Sequence, residues 1–274
     1  MPALPAARVG DTHTCPMSDG PKPHVGGPVL PPGCINVLIN NMPAARITDQ
    51  GLCVSPAPDI ITKGSPTVMI GNCGLSAARL SDSTVHGGLI AKGEPTVLIG
   101  DSATVFGPGP ITPEQAQALF DIMAAQGDIA FGYPIDGCYA RAEMMAERMQ
   151  QLGLDPSKAW TFAQPAGALM VTSPAFGVVT WGWHVATTLL VQTARGLSPM
   201  VFDPSLFSQP VTMAGWTGAQ GSVGAAGITP LGQSPTGVGS GYLPGEDPKE
   251  GIRKHAFRKM HQYLQLDPTK AGCR

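Results

Sequence analysis

The sequence has little charge of either sign and almost no imbalance between the two. Only 13% of its 274 residues are Asp, Glu, Lys or Arg, and the formal net charge is −2. There is no basic excess that would attract nucleic acid or an anionic membrane, so we expect neither as a partner. An uninterrupted apolar run of about 20 residues is also missing, so no stable membrane insertion is predicted.

The sequence also lacks the marks of a Sec signal peptide and of a disulfide scaffold. Its first residues, MPALPAARVGD, have neither a basic n-region nor an apolar h-region. Six cysteines are too few for a disulfide-rich domain, so a special cysteine is expected to bind metal or act in catalysis. Glycine and proline, in contrast, are about twice as frequent as average, with 35 Gly and 28 Pro, and predict many turns.

A threefold repeat fills the first hundred residues. The aligned segments are PAARVGDTHTC from Pro5, PAARITDQGLC from Pro43 and SAARLSDSTVH from Ser76. A turn region and a short β-branched strand follow each of them, with the strands beginning at Ile35, Pro66 and Pro95. Each copy is too small to bury its own face, which predicts three β units packed around one axis.

Residues that can bind metal occupy equivalent places in the three copies. His24, Cys53 and His86 each begin the segment that leads to a strand, and threefold packing would bring them together. One more ligand would complete a tetrahedral zinc site of mixed nitrogen and sulfur type. We assign His13 to this fourth position and keep Cys15 in reserve. Two cysteines do not share the equivalence and are predicted to be core or surface thiols: Cys34 and Cys73.

The segments PAARVGD and PAARITD resemble the signature of the PAAR-repeat family, and the resemblance covers residues 1–101. It implies an all-β cone with zinc near its point, which caps the trimeric VgrG spike of a type VI secretion system. The broad end would dock on the trimer and the tip would meet the target membrane. Members often carry a toxin, so the resemblance implies a protein made in the cytoplasm and secreted by this system without a signal peptide.

A second domain is predicted over residues 112–274, after a linker at 102–111. The segment ITPEQAQALFDIMAAQG predicts a helix with Thr112 as N-cap, Pro113 at N1 and Gln115 closing a capping box. The segment from about Cys138 predicts a second helix, which ends at Leu152 with Gly153 as its C′ residue. This domain is predicted to be α+β.

The later segments predict strands, a loop and a last helix. FGVVTWGWHVATTLLVQT is predicted to form one long strand, with His184 on its small, polar face beside Gly182 and Ala186. SPMVFDPSLF predicts a shorter strand that ends at Asp203. The Gly-, Ser- and Pro-rich stretch from Thr217 to Pro248 is predicted to be a long loop, and EGIRKHAFRKMHQYLQL a helix.

Three residues in chain order indicate nucleophilic catalysis. Cys138 lies at a helix N-terminus, where the helix dipole favours a thiolate. His184, on a strand, can hold its proton, and Asp203, at the end of the next strand, can fix the imidazole tautomer. The order Cys, helix, strand with His, strand with Asp is that of papain-like and transglutaminase-like folds. Trp181 and Trp183 either wall this site or belong to the core.

The segments GCYARAEMM, WGWHVA and VFDPSL resemble the motifs of the bacterial protein-glutaminase family, over about residues 111–216. The resemblance implies a Cys–His–Asp triad that deamidates glutamine side chains of proteins and needs no catalytic cofactor. Cys138 would be the nucleophile, His184 the base and then the acid, and Asp203 the orienting carboxylate. Glu143 stands where members often have a second histidine.

The two resemblances together predict a secreted effector that carries a glutamine deamidase toxin and has a cognate immunity protein. Two alternatives within enzymes use the same triad, a cysteine peptidase and a transglutaminase. Ammonia release without chain cleavage or amine incorporation would separate them. An alternative of another class is a non-catalytic extension of the spike.

Overall fold

The structure is a computed structural model that describes residues 3–54, 58–100, 106, 109–173, 175–231 and 252–273. Its contacts divide the chain into two compact units. The first is Met1–Ser102 with Gln126–Asp128 and Cys273, and the second is Ala103–Ala125 with Ile129–Gly272 and Arg274. Within the described ranges, no helix combines the length and the apolar character that a membrane crossing needs. The predicted linker falls largely outside these ranges.

The first unit is built from short strands. They are β1 Leu4–Ala6, β2 Ser18–Asp19, β3 Lys22–Pro23, β4 Gly26–Val29, β5 Cys34–Ile39, β6 Met42–Ala44, β7 Gln50–Cys53, β8 Asp59–Ile60, β9 Met69–Ile70, β10 Leu75–Ser76 and β11 Glu94–Ile99. The strand β1 pairs antiparallel with β11, with Leu4 opposite Ile99, so the beginning and the end of the unit meet. Strands β4, β7 and β8 form a three-stranded sheet.

The repeat units close into a ring of backbone hydrogen bonds. Ala7 N–H donates to Ala78 O at 2.9 Å, Ala78 N–H to Ala45 O at 2.9 Å, and Ala45 N–H to Ala7 O at 2.8 Å. All three alanines are fully buried, and an isoleucine- and valine-rich core surrounds them. Only a methyl group fits where the three copies approach one another, which explains why each copy has alanine there.

Each copy also contains the same arginine–aspartate device. The arginine backbone N–H donates to the carboxylate three residues later at 2.8–2.9 Å, and the guanidinium pairs with the same carboxylate. The pairs are Arg8 with Asp11, Arg46 with Asp49, and Arg79 with Asp82. Each pair gives the backbone N–H of the turn a hydrogen-bond acceptor and balances the charge of the carboxylate. The arginine and aspartate of the repeat motif therefore stabilise the fold.

The cysteines outside the aligned set behave differently from each other. Cys34 is a buried free thiol, as predicted. Cys73 is disulfide-bonded, so the prediction that it is a thiol is wrong. A disulfide requires two Cβ atoms about 4 Å apart, and spacing along the sequence does not reveal that proximity.

The second unit contains an antiparallel sheet of five strands in the order β17-β16-β15-β12-β18. These strands are β12 Ser157–Ala163, β15 Trp183–Thr193, β16 Gly196–Phe202, β17 Val211–Thr212 and β18 Val223–Pro230, and a separate hairpin pairs β13 Leu169–Ser173 with β14 Gly177–Trp181. The helices are α1 Pro113–Ala124, α2 Cys138–Gln151, α3 Met213–Gly218 and α4 Ile252–Leu264, followed by a 3-10 helix over Pro268–Cys273. Both units are rich in strands, and the second adds helices, so its α+β class agrees with the prediction.

The predicted helix boundaries are confirmed. Thr112 caps α1, with its side chain accepting from Gln115 N–H, and the Gln115 side chain accepts from Thr112 N–H. Pro113 is at N1. At the end of α2, Gly153 has a φ of 81° and donates its N–H to Gln150 O at 2.9 Å. Local capping chemistry therefore determines where both helices start or stop.

Two strand predictions are wrong. The long strand is divided at Gly182, because β14 pairs with β13 while β15 pairs with β12 and β16. The predicted loop from Thr217 to Pro248 contains β18, whose small residues pair with β12 at the edge of the sheet. An edge strand needs backbone hydrogen bonds more than large side chains, so its composition resembled a loop. Residues 232–248 of that loop lie outside the described ranges.

Candidate active site and metal centre

Cys138 is the first residue of α2 and is buried. The residue before it, Gly137, has a φ of 77°, in the left-handed region that favours glycine. A Cβ there would also lie 2.4 Å from a Tyr263 ring carbon. The N–H groups of the first turn have no acceptor within the helix. The turn therefore places the thiol at the positive end of the helix dipole.

His184 and Asp203 form a buried pair. His184 lies on β15, and its Nε2 is 2.8 Å from Asp203 Oδ2. Asp203 directly follows Phe202, the last residue of β16, which pairs with β15. The side chain of Thr187, also on β15, donates to Ala142 O of α2 at 2.9 Å. This bond attaches the helix that begins with Cys138 to the strand that carries His184.

Asp203 has two further partners that the sequence did not reveal. Ser205 Oγ donates to Asp203 Oδ1, and Trp216 Nε1 donates to Asp203 Oδ2 at 3.0 Å. Trp216 is fully buried in the short helix α3. Ser205 had a weak signal, because a serine two residues after an aspartate often bonds within a turn. Trp216 had none, because its contact with Asp203 depends on tertiary packing.

The other side of the His184 ring faces Trp181. The two rings stack with centroids 4.6 Å apart at 9°. Trp181 Nε1 donates to Pro134 O at 3.0 Å, in the segment before Cys138. Trp183 packs instead against Trp160, with ring centroids 5.8 Å apart. Of the two tryptophans considered in the sequence, Trp181 is the one in contact with the imidazole.

The electrostatics of the pair favour an imidazolium beside a carboxylate. Burial lowers the pKa of His184, but the charge and hydrogen bond of Asp203 and the neighbouring Cys138 together raise it to about 9. Burial raises the pKa of Asp203, but His184, Ser205 and Trp216 lower it below its ordinary value. Among the described residues, His184 Nδ1 makes no hydrogen bond of standard geometry. Cys138 is nevertheless close enough to contribute to the raised pKa of His184.

This pair links stability to pH at both ends of the range. The His184 contribution is complete below the ordinary histidine pKa of 6.5 and is lost as the pH rises through about 9. The Asp203 contribution is complete above the ordinary aspartate value of 3.8 and is lost as the pH falls through the lowered pKa. The charged pair is therefore intact at neutral pH.

Glu143 stands where members of the protein-glutaminase family often have a second histidine, and it forms an ion pair between α2 and β12. Its Oε2 lies 2.6 Å from Nζ of Lys158 on β12, and Lys158 is 2% exposed. A buried lysine requires a counter-charge. Glu143 on α2 therefore supplies the negative charge that compensates for the burial of the Lys158 ammonium group.

The first unit contains a cluster of four metal-binding side chains: Cys15, His24, Cys53 and His86. Their ligand atoms all lie within 4.8 Å of one another. Cys53 Sγ is 3.5 Å from Cys15 Sγ and 3.6 Å from His24 Nδ1, and Cys15 Sγ is 3.6 Å from His86 Nδ1. A zinc tetrahedron with two sulfur and two nitrogen ligands has edges of about 3.3–3.8 Å. The residues present fit zinc in both chemistry and spacing.

His13 lies outside this cluster. Its Nδ1 donates to Gly27 O at 2.8 Å, and its Nε2 is 3.3 Å from Oδ2 of the buried Asp59. The neighbouring Asp59 carboxylate raises the pKa of His13 more than burial lowers it. His13 is thus positioned to balance a buried carboxylate, and the structure brings Cys15, the reserve residue, to the other three.

Two family models match the chain. The model described as PAAR motif matches residues 19–92, and the model described as Glutaminase matches residues 116–220. Both families recognised in the sequence are therefore confirmed, each over its own part of the chain. The candidate triad lies inside the second match, and His24, Cys53 and His86 lie inside the first.

Several solved structures are similar to the chain. A crystal structure of protein-glutaminase is 26% identical, with 57% of this chain and 91% of that chain covered and a TM-score of 0.45. An NMR structure of protein-glutaminase from Chryseobacterium proteolyticum is 26% identical, with 59% and 94% covered and a TM-score of 0.45. A crystal structure of pro-protein-glutaminase is 17% identical, with 99% and 96% covered and a TM-score of 0.46. None of the curated proteins matches the chain significantly.

Proposed function

We propose that the chain is a type VI secretion effector and that residues 112–274 deamidate protein glutamine side chains to glutamate. The observation that carries the proposal is the buried His184–Asp203 pair beside Cys138, at the start of α2, within the region that matches the glutaminase family. A thiol at a helix N-terminus, a histidine and an orienting carboxylate are the parts that acyl transfer requires. We also propose that the fold is of papain-like or transglutaminase-like type.

The proposed reaction has two half-reactions. The Cys138 thiolate attacks the side-chain amide carbon of glutamine, and the proton on His184 leaves with ammonia. A thioester then joins Cys138 to the substrate. Neutral His184 takes a proton from water, and the resulting hydroxide attacks the thioester. This step releases glutamic acid and returns the thiolate and the imidazolium. The acid then gives its proton to ammonia, which yields glutamate and ammonium, so atoms and charge balance over the cycle.

The negative oxygen of each tetrahedral intermediate requires a hydrogen-bond donor. The Cys138 backbone N–H is available for this role because it is the first of α2 and has no acceptor within the helix. An oxyanion donor is worth about 10²–10³ in turnover in other acyl-transfer enzymes. Asp203, held by Trp216 and Ser205, keeps His184 in the orientation that both half-reactions need.

The experiment that tests this function measures ammonia release from a glutamine-containing protein together with peptide mass spectrometry. A gain of about one dalton at glutamine, without chain cleavage, supports deamidation. New peptide termini would instead indicate a cysteine peptidase, and incorporation of an added amine a transglutaminase. A full chain that shows none of these reactions on a panel of proteins would favour the non-catalytic spike extension.

We further propose that residues 1–101 form the spike-tip domain, with zinc held by Cys15, His24, Cys53 and His86. Zinc would supply a structural cross-link there. His24 Nε2 lies 3.0 Å from Asp19 Oδ2, and His86 Nδ1 lies 3.8 Å from Asp59 Oδ1, which also accepts from the backbone N–H of His86 at 2.9 Å. Carboxylates near ligating histidines commonly orient the rings. The cluster joins three separate segments of a unit made of short strands, where a cross-link contributes most to stability.

The purified full chain is expected to contain about one zinc ion, measured by elemental analysis. Cys15→Ser and Cys53→Ser should lose the metal and unfold at a lower temperature, because one ligand of four is removed. Cys34→Ser is the matched control, since Cys34 is a buried free thiol outside the cluster. His13→Gln should retain zinc. A chain that holds no metal and melts at the same temperature in strong chelator would contradict the site.

The partner proposed for this domain is a trimeric VgrG spike, which would bind one copy through the broad end. Ile35 on β5 and Leu98 on β11 are exposed apolar residues outside the sheet that carries Cys53. The double variant Ile35→Asp, Leu98→Asp is expected to abolish co-purification with the spike, because two charged side chains would replace apolar ones in the contact surface. Leu52→Asp, beside the metal ligand, is the control and should still bind. Loss of binding only in the control variant would reverse the proposed orientation.

The glutamine-bearing target is a protein, and a cognate immunity protein is part of the same proposal. Deamidation replaces a neutral amide with a carboxylate and so adds one negative charge to the target. A target whose function depends on that amide would be inactivated. An adjacent gene whose small product blocks ammonia release would support the immunity protein and an antibacterial use.

A further inference from the structure

Arg141 is a buried cation one turn after Cys138 on α2. Arg141 is 3% exposed. Among the described residues, no carboxylate forms a salt bridge with its guanidinium. Burying a charge without a partner is costly, and a guanidinium does not lose its proton at physiological pH. A retained buried arginine therefore requires a compensating interaction.

One half of the guanidinium holds the segment that leads into α2. Arg141 Nη1 donates to Tyr133 O and to Asp136 O, both at 2.8 Å. Tyr263 of α4 donates its hydroxyl to the Asp136 carboxylate at 2.6 Å. The segment before Cys138 is thus attached to the inside of α2 by Arg141 and to α4 by Tyr263.

The other half of the guanidinium has no hydrogen-bond partner in the part of the chain that the structure describes. Arg141 Nη2 is fully buried and makes no hydrogen bond to any described residue. Residues three apart on a helix lie on the same face, with Cβ atoms about 5–6 Å apart, so Arg141 is beside Cys138. Burial lowers the pKa of Arg141, and the negative charges of Cys138, Asp203 and Asp136 raise it in part.

We infer that Arg141 is a positioning residue of this site, whose fixed charge holds Cys138 in the thiolate form while its Nη1 holds the segment before the nucleophile. The inference rests on the proposed function in one respect, that Cys138 is the nucleophile. It names a source of thiolate stabilisation in addition to His184 and the N-terminus of α2.

The chemistry gives a reason for two cations. His184 gives up its proton to ammonia, so its charge is absent for part of every cycle. Arg141 keeps its charge throughout and cannot compete as a proton donor. When the thioester is hydrolysed, the returning thiolate meets a charge that is already in place. Besides Cys138, the ionisable groups that act on the Arg141 charge are Asp203 after β16, Asp136 and Tyr263, and among these described residues none is a permanent cation.

The test is the pH dependence of Cys138 alkylation by iodoacetamide in the full chain, read at the Cys138 peptide by mass spectrometry. Arg141→Gln is expected to raise the pH at which the alkylation rate is half-maximal, the midpoint, by roughly one pH unit or more. This is the usual effect of removing a neighbouring opposite charge. Arg141→Lys should restore most of the shift, because it keeps the charge. Arg148→Gln is the matched control: Arg148 is a buried arginine in the last turn of the same helix, and its removal should leave the midpoint unchanged.

An unchanged midpoint in folded Arg141→Gln would overturn the inference, and so would an equal shift in the lysine variant, which would assign the effect to the lost hydrogen bonds alone. If Arg141→Gln does not fold, His184→Gln provides the second measurement. With Arg141 intact, its midpoint should stay below the ordinary cysteine value of about 8.5. A midpoint at that value would reject the role of Arg141. Because alkylation does not require glutamine turnover, this inference and the proposed deamidase activity can fail separately.

Discussion

Replacing Cys138 with alanine is expected to reduce ammonia release at least about 10⁴-fold, to the level of the assay background. The variant removes the only atom that can form the thioester, while alanine is small enough for the first turn of α2. Growth of bacteria that express the full chain in the cytoplasm should slow, and the Cys138→Ala chain should not slow it. Retained toxicity in a folded Cys138→Ala chain would move the activity to another site or to a binding mechanism.

Two further variants define the chemistry of this loss. Cys138→Ser should be nearly as inactive as the alanine variant, because a hydroxyl does not form the anion that the helix terminus and Arg141 stabilise. Cys34→Ser, which changes a buried thiol of the first unit, should retain full ammonia release. If the serine variant of Cys138 kept substantial activity, the nucleophile would not need to be a thiolate.

Asp203→Asn is expected to reduce turnover by up to about 10⁴-fold, and His184→Ala by at least as much. The amide cannot balance the imidazolium and allows the wrong tautomer, whereas alanine removes the proton carrier of both half-reactions. Trp216→Phe removes only one of three hydrogen bonds to Asp203, so a loss of about tenfold is expected. Near-full activity of His184→Ala would exclude the triad.

The pH dependence of the rate distinguishes a loss of the Asp203–His184 interaction from a loss of folded protein in these variants. In the wild-type chain, the rate should fall on the alkaline side around pH 9, where His184 loses its proton. In Asp203→Asn that alkaline limit should move to lower pH, because the negative charge that raises the pKa of His184 is gone. Circular dichroism confirms that each variant is folded. An unchanged alkaline limit in Asp203→Asn would show that Asp203 does not control the His184 proton.

The parts of the fold that local chemistry controls were predictable from the sequence. The capping box of α1, the Gly153 end of α2 and the threefold repeat each depend on residues that are close in sequence. The missed elements depend on partners far along the chain. Strand β18 exists because β12 pairs with it, and β14 is separate from β15 because β13 pairs with it. Periodicity within one segment does not contain that information.

The candidate sites show the same division. Cys138, His184 and Asp203 could be proposed from the sequence because each lies at an element boundary or on a distinctive face. Trp216 and Arg141 were not found, because a buried tryptophan and a helical arginine have many ordinary structural roles.

The fourth member of the candidate metal cluster had a signal that the alignment of the repeats already contained. Cys15, Cys53 and His86 each follow the aspartate of their repeat by four residues, so Cys15 is the residue equivalent to the other two. His24 lies in the insertion of the first copy and completes the set. The distance from the repeat aspartate was therefore a better guide than the position before the strand.

The pairing of β1 with β11 has a consequence for how the chain is made. The first strand of the first unit finds its partner only after residue 99 has left the ribosome, because Leu4 lies opposite Ile99. The alanine ring likewise stays open until the third copy arrives. Contacts that span the whole domain fold slowly, since loop closure precedes the gain from pairing. During synthesis the first unit therefore cannot close until its last strand emerges, and by then the start of the second unit is already being translated.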